Sequence, residues 1–289
     1  MLEPNVSRLL PLNPAEAVRR RIAREVHKVF HSSPGEPRVT RSSDALIAAD
    51  SVAWRVHGDV TTMMVGGIAA LLLQMLHPAA LAGVWDHSDF EADMLGRLRR
   101  TARFIAVTTY AERAQGEAMI ARVKAIHDHV DGVLPDGRPY SANDPETLAF
   151  VHVAGGLCFL DAYIRFVAPR MSRAEQDAYF DEVAGTARAL GADPVPINRA
   201  DAEALLDRFR PELCSDARTR RVRDLILGAP VKNPAAASVQ TLLMKAAIDV
   251  LPADARAMHG LSRSFVTRPA LNLATAGLSR TLRWALTTR

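Results

Sequence analysis

The sequence predicts an all-α protein, and three observations carry that prediction. Apolar residues recur three and four positions apart along most of the chain, so that successive runs each show one apolar stripe in helical projection. Helix-opening pairs such as Asn13-Pro14 and Asp144-Pro145, and helix-stopping residues such as Gly191, punctuate those runs. No alternation of apolar and polar residues lasts long enough for a sheet. Helices joined by short turns imply a single bundle-like domain with a globin-like core. The expected division is an N-terminal amphipathic helical extension over 1–40, a main domain over 41–250 and a C-terminal helical extension over 251–289.

Each element follows from local chemistry. Asn13 caps and Pro14 opens a helix carrying Val18, Ile22, Val26 and Val29, with a basic far side. It covers the core or touches a membrane surface, with core cover favoured. A Pro/Gly/Ser-rich break at 32–37 separates it from helices at about 44–57 and 60–77. The window from Val60 to Val84 is the most apolar of the chain and long enough to span a bilayer, but Gly66-Gly67, Gln74 and His77-Pro78 interrupt it and favour a buried core helix. Helices at about 91–109 and 112–130 come next. Pro135-Asp136-Gly137 then makes a turn, in a connection that lasts to Asp144. Asp144-Pro145 opens a helix with Leu148, His152, Gly155, Gly156 and Phe159 on one face, where two glycines admit a flat group or, more commonly, another helix. Ser172 and Glu175 form a capping box for a helix ending near Leu190, with Gly191 as its stop. Further helices are read at about 201–209, 215–227 and 236–250, with weaker patterns at 254–264 and 268–286.

Composition excludes several classes. The 289 residues are 48% hydrophobic and 24% charged, enough to bury a substantial core without staples. Cys158 and Cys214 are far apart and form no C-x-x-C, which argues against a disulfide framework or a zinc ribbon and fits a reducing compartment. The net charge of +4 is mildly basic, but the bases are interspersed with acids and few aromatics lie among them, so no nucleic-acid partner is expected. The first fifteen residues lack the apolar run of a secretory signal, and Arg19-Arg20-Arg21 is not followed by one. A cytoplasmic protein is the expectation, with peripheral membrane contact left open.

Two neighbouring segments concentrate the candidate chemistry. Arg97, Arg100, Thr101, Phe104, Ile105 and Thr108 share one helical stripe, so a polar, cationic end runs into an apolar one. That suits a cofactor with an apolar ring and an anionic edge, or a pocket for an apolar substrate with one polar reaction centre. In the next segment Met119, Ile120, Val123, Ile126, His127 and Val130 form an apolar stripe that turns the His127 imidazole inward and Arg122 and His129 away. Read from periodicity, such a histidine is more often a hydrogen-bonded core residue than a ligand. Arg99 and Arg103 read as solvated or paired. His152 lies on a buried face, and His77, before Pro78, reads as a cap or core residue.

These residues, in this order, resemble the rubber oxygenase (latex clearing protein) and MpaB-type oxygenase family. The resemblance rests on R-x-x-[K/R]-T at Arg97, Arg100 and Thr101, H-x-H-V at His127, His129 and Val130, and a Gly/Tyr-containing turn leading to DPETLAFVH at 144–152; it covers roughly 45–250. It implies a haem b held by one protein histidine in the helical core, and use of O2 on an apolar, unsaturated, isoprenoid or lipid-like substrate, with cleavage of a carbon–carbon double bond as the relatives' reaction. Carried over, His127 becomes the iron ligand, Arg97 and Thr101 the polar residues that bind the cofactor or serve catalysis, and His152 the runner-up for ligation or for orienting the ligand. Arg100 stands where rubber-cleaving members have lysine. A guanidinium stays protonated and offers no lone pair, so a mechanism needing an amine there does not transfer. Glu91 and Asp93 are candidates for an acidic residue that those members place ahead of the arginine.

Other chemistries lack their signatures. There is no H-E-x-x-H, no paired E-x-x-H of the di-iron type, no P-loop lysine after Gly66-Gly67 and no G-x-S-x-G elbow. The alternative to an oxygenase is a non-catalytic helical protein that binds haem or another hydrophobic ligand.

Overall fold

Capping chemistry sets the helix boundaries in the computed structural model, which describes residues 15–20, 22, 38–89, 91, 93–229, 234–262 and 268–286. Residues 15–20 and 22 are helical, and Arg19 Nε donates to Ala285 O at 3.3 Å; Asn13, Pro14, Val26 and Val29 of the expected first helix lie outside the described residues. The helix expected over 44–57 is cut to Val52–His57 (α1), capped by Ser51 Oγ, which accepts from Trp54 N–H. Upstream, Trp54 Nε1 donates to Ile47 O at 2.7 Å and Ala45 bridges to Glu112, so tertiary partners take the backbone groups a longer helix would use.

Val60–Gln74 (α2) and Pro78–His87 (α3) meet at 101°, so the apolar window is two helices rather than one rod. His77 caps α3, accepting from Ala80 N–H with Pro78 in the first turn, which is why the chain restarts there instead of simply ending. Met94–Tyr110 (α4) and Arg113–His127 (α5) are joined through Ala111-Glu112 alone. Around the predicted Pro135-Asp136-Gly137 turn the chain forms a two-stranded antiparallel hairpin, Asp131–Val133 (β1) with Pro139–Ser141 (β2), pairing Gly132 with Tyr140. Gly137 takes the left-handed conformation the turn requires, at φ +87°. These strands are too short for alternation to reveal.

Pro145–Phe166 (α6) starts as read, with Asp144 accepting from Thr147 N–H and Pro145 in the first turn. Arg173–Leu190 (α7) carries the full Ser172/Glu175 capping box and stops at Gly191, φ +109°. Arg199–Phe209 (α8) runs into a 3-10 turn over Arg210–Glu212, followed by Ala217–Leu227 (α9), Pro234–Val250 (α10), Ala253–Met258 (α11) and Arg268–Leu286 (α12). The protein is all-α.

The core forms where α2 crosses α6. Gly66 makes the crossing possible, since a Cβ there would sit 2.8 Å from Phe159 Cα. Leu72, Leu73, Phe150, Leu160 and Phe180 are fully buried around it, and α10 and α12 close the far side of α2. Cys158 is buried and Cys214 exposed, both as free thiols. By length and composition α6 could cross a membrane, but 67% of its most apolar window is buried inside the protein, so it serves as the core helix.

Polar clamps hold the periphery to this core. Asp59, 2% exposed, caps α2 through Thr62 N–H (2.9 Å) and accepts from Ser279 Oγ and Arg283 Nη1 of α12, each at 2.6 Å. Arg165 of α6 pairs with Asp249 of α10 and donates to Asn272 of α12. His57, in no sequence pattern, bridges Thr109 Oγ1 (2.8 Å) and the Tyr179 hydroxyl (3.1 Å), joining α1, α4 and α7.

Candidate functional site

The α4–α5 hairpin brings the two candidate segments together. With only Ala111-Glu112 between the helices, residues nearly equidistant from that link fall opposite each other at a common rise per residue, which sets Arg97 against His127. The Arg97 charge disfavours protonation of the His127 ring in the folded chain. α4 packs mainly on α5 and α1, with Leu98 reaching the core cluster. Phe104, Ile105, Met119 and Val123 are accordingly half-buried and Ile126 is exposed, leaving an incompletely covered apolar strip along the hairpin.

Arg97 is turned into the protein and makes no hydrogen bond or ion pair with a described residue. Burial, and then the like charge of Arg100, pull its ionisation down to about 10. Arg100, on the same stripe, points back toward the helix start and is exposed, its Nη1 on Asp93 Oδ2 at 3.0 Å. Asp93 is already the helix cap, accepting from Gly96 N–H at 2.9 Å, so one carboxylate holds both. Thr101 is exposed and returns its hydroxyl to Arg97 O at 3.2 Å. Of the sequence-read stripe, therefore, Arg97 is turned in, close enough for its charge to act on His127, while Arg100 and Thr101 face outward in this conformation. Among the acidic candidates, Glu91 pairs with Arg221 at 2.8 Å and Asp93 with Arg100.

His127 ends α5 and is half-buried. Its Nδ1 is buried without a hydrogen-bond partner. Burial and the Arg97 charge push its ionisation below the ordinary histidine value, with Asn143 and Asp128 opposing, so the imidazole is neutral near pH 7. His152, on α6, has a buried Nε2 that also lacks a partner, and burial reinforced by Arg188 lowers it to about 4. No hydrogen bond joins it to His127. His129 is exposed, and His87 bonds Asp131 O at 2.9 Å beside the hairpin.

Two cavities stand out elsewhere, and neither is lined by His127, Arg97, Arg100, Thr101 or His152. One, of about 570 Å³, lies between Arg41, Gly58, Asp59 and the end of α12. The other, of about 470 Å³, lies between the β-hairpin and the starts of α3 and α6, and includes His77, Asn143 and Glu212. His77 is both cap and core, stacked on Phe150 and 3.8 Å from Glu212 Oε2. Among the described residues no three His, Cys, Asp or Glu side chains gather as a metal cluster. A porphyrin iron needs only a single protein ligand. Sequence reasoning passed over Asn143, whose Nδ2 donates to Asp128 Oδ1 at 2.6 Å next to His127. The one available signal was its place directly before the Asp144 cap.

Residues 54–284 match the family described as ER-bound oxygenase mpaB/B'/rubber oxygenase, catalytic domain. The chain belongs to that family. The match begins within α1 and ends within α12, so the oxygenase domain takes in the C-terminal helices beyond 250 as well as the α4–α5 hairpin and the α2–α6 core. Membership makes the chain an oxidoreductase of the oxygenase type. No curated protein and no solved structure matches it.

Proposed function

We propose that this mpaB/rubber oxygenase-type domain is a haem b-dependent oxygenase that uses O2 on an apolar, unsaturated substrate of isoprenoid or lipid-like character, with oxidative cleavage of a carbon–carbon double bond as its reaction. The observation that supports this reading most is Arg97 beside His127: a half-buried neutral imidazole within reach of the charge of a deeply placed guanidinium that has no counter-ion among the described residues. A structural arginine at such depth ordinarily finds a counter-ion. These two suit a metal and an anionic edge.

The residues present fit such a group. His127 keeps a lone pair at neutral pH because its ionisation is lowered, and Arg97 would meet a propionate with a charge-assisted hydrogen bond. Haem, when bound, supplies the redox iron that lets O2 react with a closed-shell organic molecule. Phe104, Ile105, Val123 and Ile126 would line the apolar substrate along the hairpin. For Arg100 and Thr101 to act on the reacting atoms, Arg100 must leave Asp93 and Thr101 must release Arg97 O. Arg100 then contributes charge and hydrogen bonds but moves no proton, so any proton transfer falls to water or another side chain. A cytoplasmic location and contact with a membrane surface that delivers an apolar substrate belong to the same proposal.

Protein expressed with ample haem should be coloured, with a Soret band that shifts on reduction and on carbon monoxide, and His127→Ala should lose it. A full Soret band in His127→Ala overturns the ligand assignment. The outward Arg100 and Thr101, and cavities lying away from His127, favour as second reading a non-catalytic carrier of haem or another hydrophobic ligand. Oxygen consumption with an unsaturated isoprenoid separates the two.

A further inference from the structure

His127 and Asn143 each carry a buried polar atom that lacks a hydrogen bond, and the two atoms are complementary. Nδ1 of His127 can donate or accept, whereas Oδ1 of Asn143 can only accept. The Asn143 side chain is held on Asp128, the residue next to His127, which puts its carbonyl end beside the last turn of α5 without a bond to the imidazole. The orientation of the amide is settled from its other end. Nδ2 donates to Asp128 Oδ1 at 2.6 Å, and because an ionised carboxylate only accepts, the carbonyl end is the one free for the ring.

The segment carrying Asn143 is held in place independently of that contact. Ala142 N–H donates to Val130 O at 2.8 Å, Asn143 N–H to Ser141 Oγ at 3.2 Å, and Asp144 is committed to the start of α6. The β-hairpin and the α6 cap thus fix one side chain against the last turn of α5. A ring turned so that Nδ1–H meets Oδ1 would satisfy both orphaned atoms at once.

We propose that Asn143 is a positioning residue for His127. Its Oδ1 accepts Nδ1–H, which selects the Nδ1–H tautomer of the neutral ring and leaves the lone pair on Nε2 for a ligand; Asp128 steadies the amide from behind. The assignment rests on the reading of His127 as a haem ligand, since a tautomer matters to function only if Nε2 binds something. Ligating histidines generally need such a partner for the second nitrogen, and here the chain offers a carboxamide rather than a backbone carbonyl or a carboxylate. A neutral acceptor leaves the ligand less electron-rich than a carboxylate would.

The test has two arms. In protein purified without haem, the ring nitrogen shifts of His127, assigned by their loss in His127→Ala, report the tautomer. The wild type should show Nδ1–H, Asn143→Ala should move toward Nε2–H, and the charge-swapped pair Asp128→Asn with Asn143→Asp, which restores an acceptor and a donor at the same two places, should recover Nδ1–H. An Nε2–H ring in the wild type, or a tautomer indifferent to Asn143→Ala, overturns the proposal. In the second arm, hemin titration should show affinity roughly 10- to 100-fold weaker in Asn143→Ala, and the ferrous iron–imidazole stretching frequency should fall in that variant and rise to or above the wild-type value in the swapped pair, whose acceptor is a carboxylate. Unchanged affinity and frequency overturn the positioning role. If His127→Ala binds hemin as the wild type does, the haem-ligand reading fails separately, whatever tautomer Asn143 selects. Circular dichroism of each variant separates these effects from misfolding.

Discussion

Replacing Arg97 with methionine should make the haem-free protein more stable and the haem complex weaker, and that reversal of sign is the sharpest consequence of the site. The guanidinium is placed deeply, meets the like charge of Arg100, and has no acceptor among the described residues. Its ionisation falls from the ordinary 12.5 to about 10, a gap equivalent to about 3.5 kcal/mol at roughly 1.4 kcal/mol per tenfold change. Because the folded value lies below the unfolded one, the charge opposes folding at neutral pH and the opposition would lift only as pH rises through that value. Partial access to solvent reduces the recoverable part to about 1–2 kcal/mol, in line with the gain when other deeply placed charges give way to apolar residues. In a chain of this length that is a rise in Tm of roughly 2–5 °C. With haem, the same change removes a charge-assisted bond worth about 1.5–3 kcal/mol, or roughly 10- to 150-fold in affinity. Thermal unfolding followed by circular dichroism measures the first effect, and hemin titration at the Soret band the second. A Tm lowered by several degrees would refute the argument, because it would mean that Arg97 makes a structural bond; unchanged hemin affinity would remove it from the site.

Two further predictions concern the scaffold. Asp59→Ala takes away the α2 cap and leaves Ser279 and Arg283 without their acceptor, so urea unfolding should show a loss of about 3–5 kcal/mol; a loss under about 1 kcal/mol would mean that α12 is not clamped through this carboxylate. His77 is 5% exposed and lowered by burial from 6.5 to about 4, so its contribution is complete above pH 6.5 and lost as pH falls from there toward 4, about 2 kcal/mol by pH 5. His77→Asn keeps a capping acceptor but does not titrate, and the pH slope of the urea midpoint should shrink in that variant; an unchanged slope would assign the acid sensitivity to His57 and His152, which burial also lowers to about 4.

What was legible in the residues was whatever depends on atoms a few positions apart. The Asp144-Pro145 start, the Ser172/Glu175 box and the Gly191 stop appear where they were read, because each satisfies backbone groups within its own turn. The half-buried set of His127 followed from periodicity alone. The shortening of the 44–57 segment was hidden because Ala45 bridges to Glu112, a residue brought in by folding, while Ile47 O is taken by the Trp54 indole, and His77 concealed a helix start behind what read as a helix end.

At the candidate site the division is sharper. Helical spacing places Arg97, Arg100 and Thr101 on one stripe, but a stripe is an angle about an axis and says nothing of what stands opposite. Asp93 draws Arg100 out to the helix start, and the hairpin presents Arg97 alone to His127. His57 and Asn143, silent as letters in the chain, take their roles from partners more than fourteen positions away. Short-range hydrogen bonds can be read from neighbouring residues because the covalent chain already holds their partners close, whereas the pairing of charges and of orphaned polar atoms waits on distances that exist only once the helices have packed.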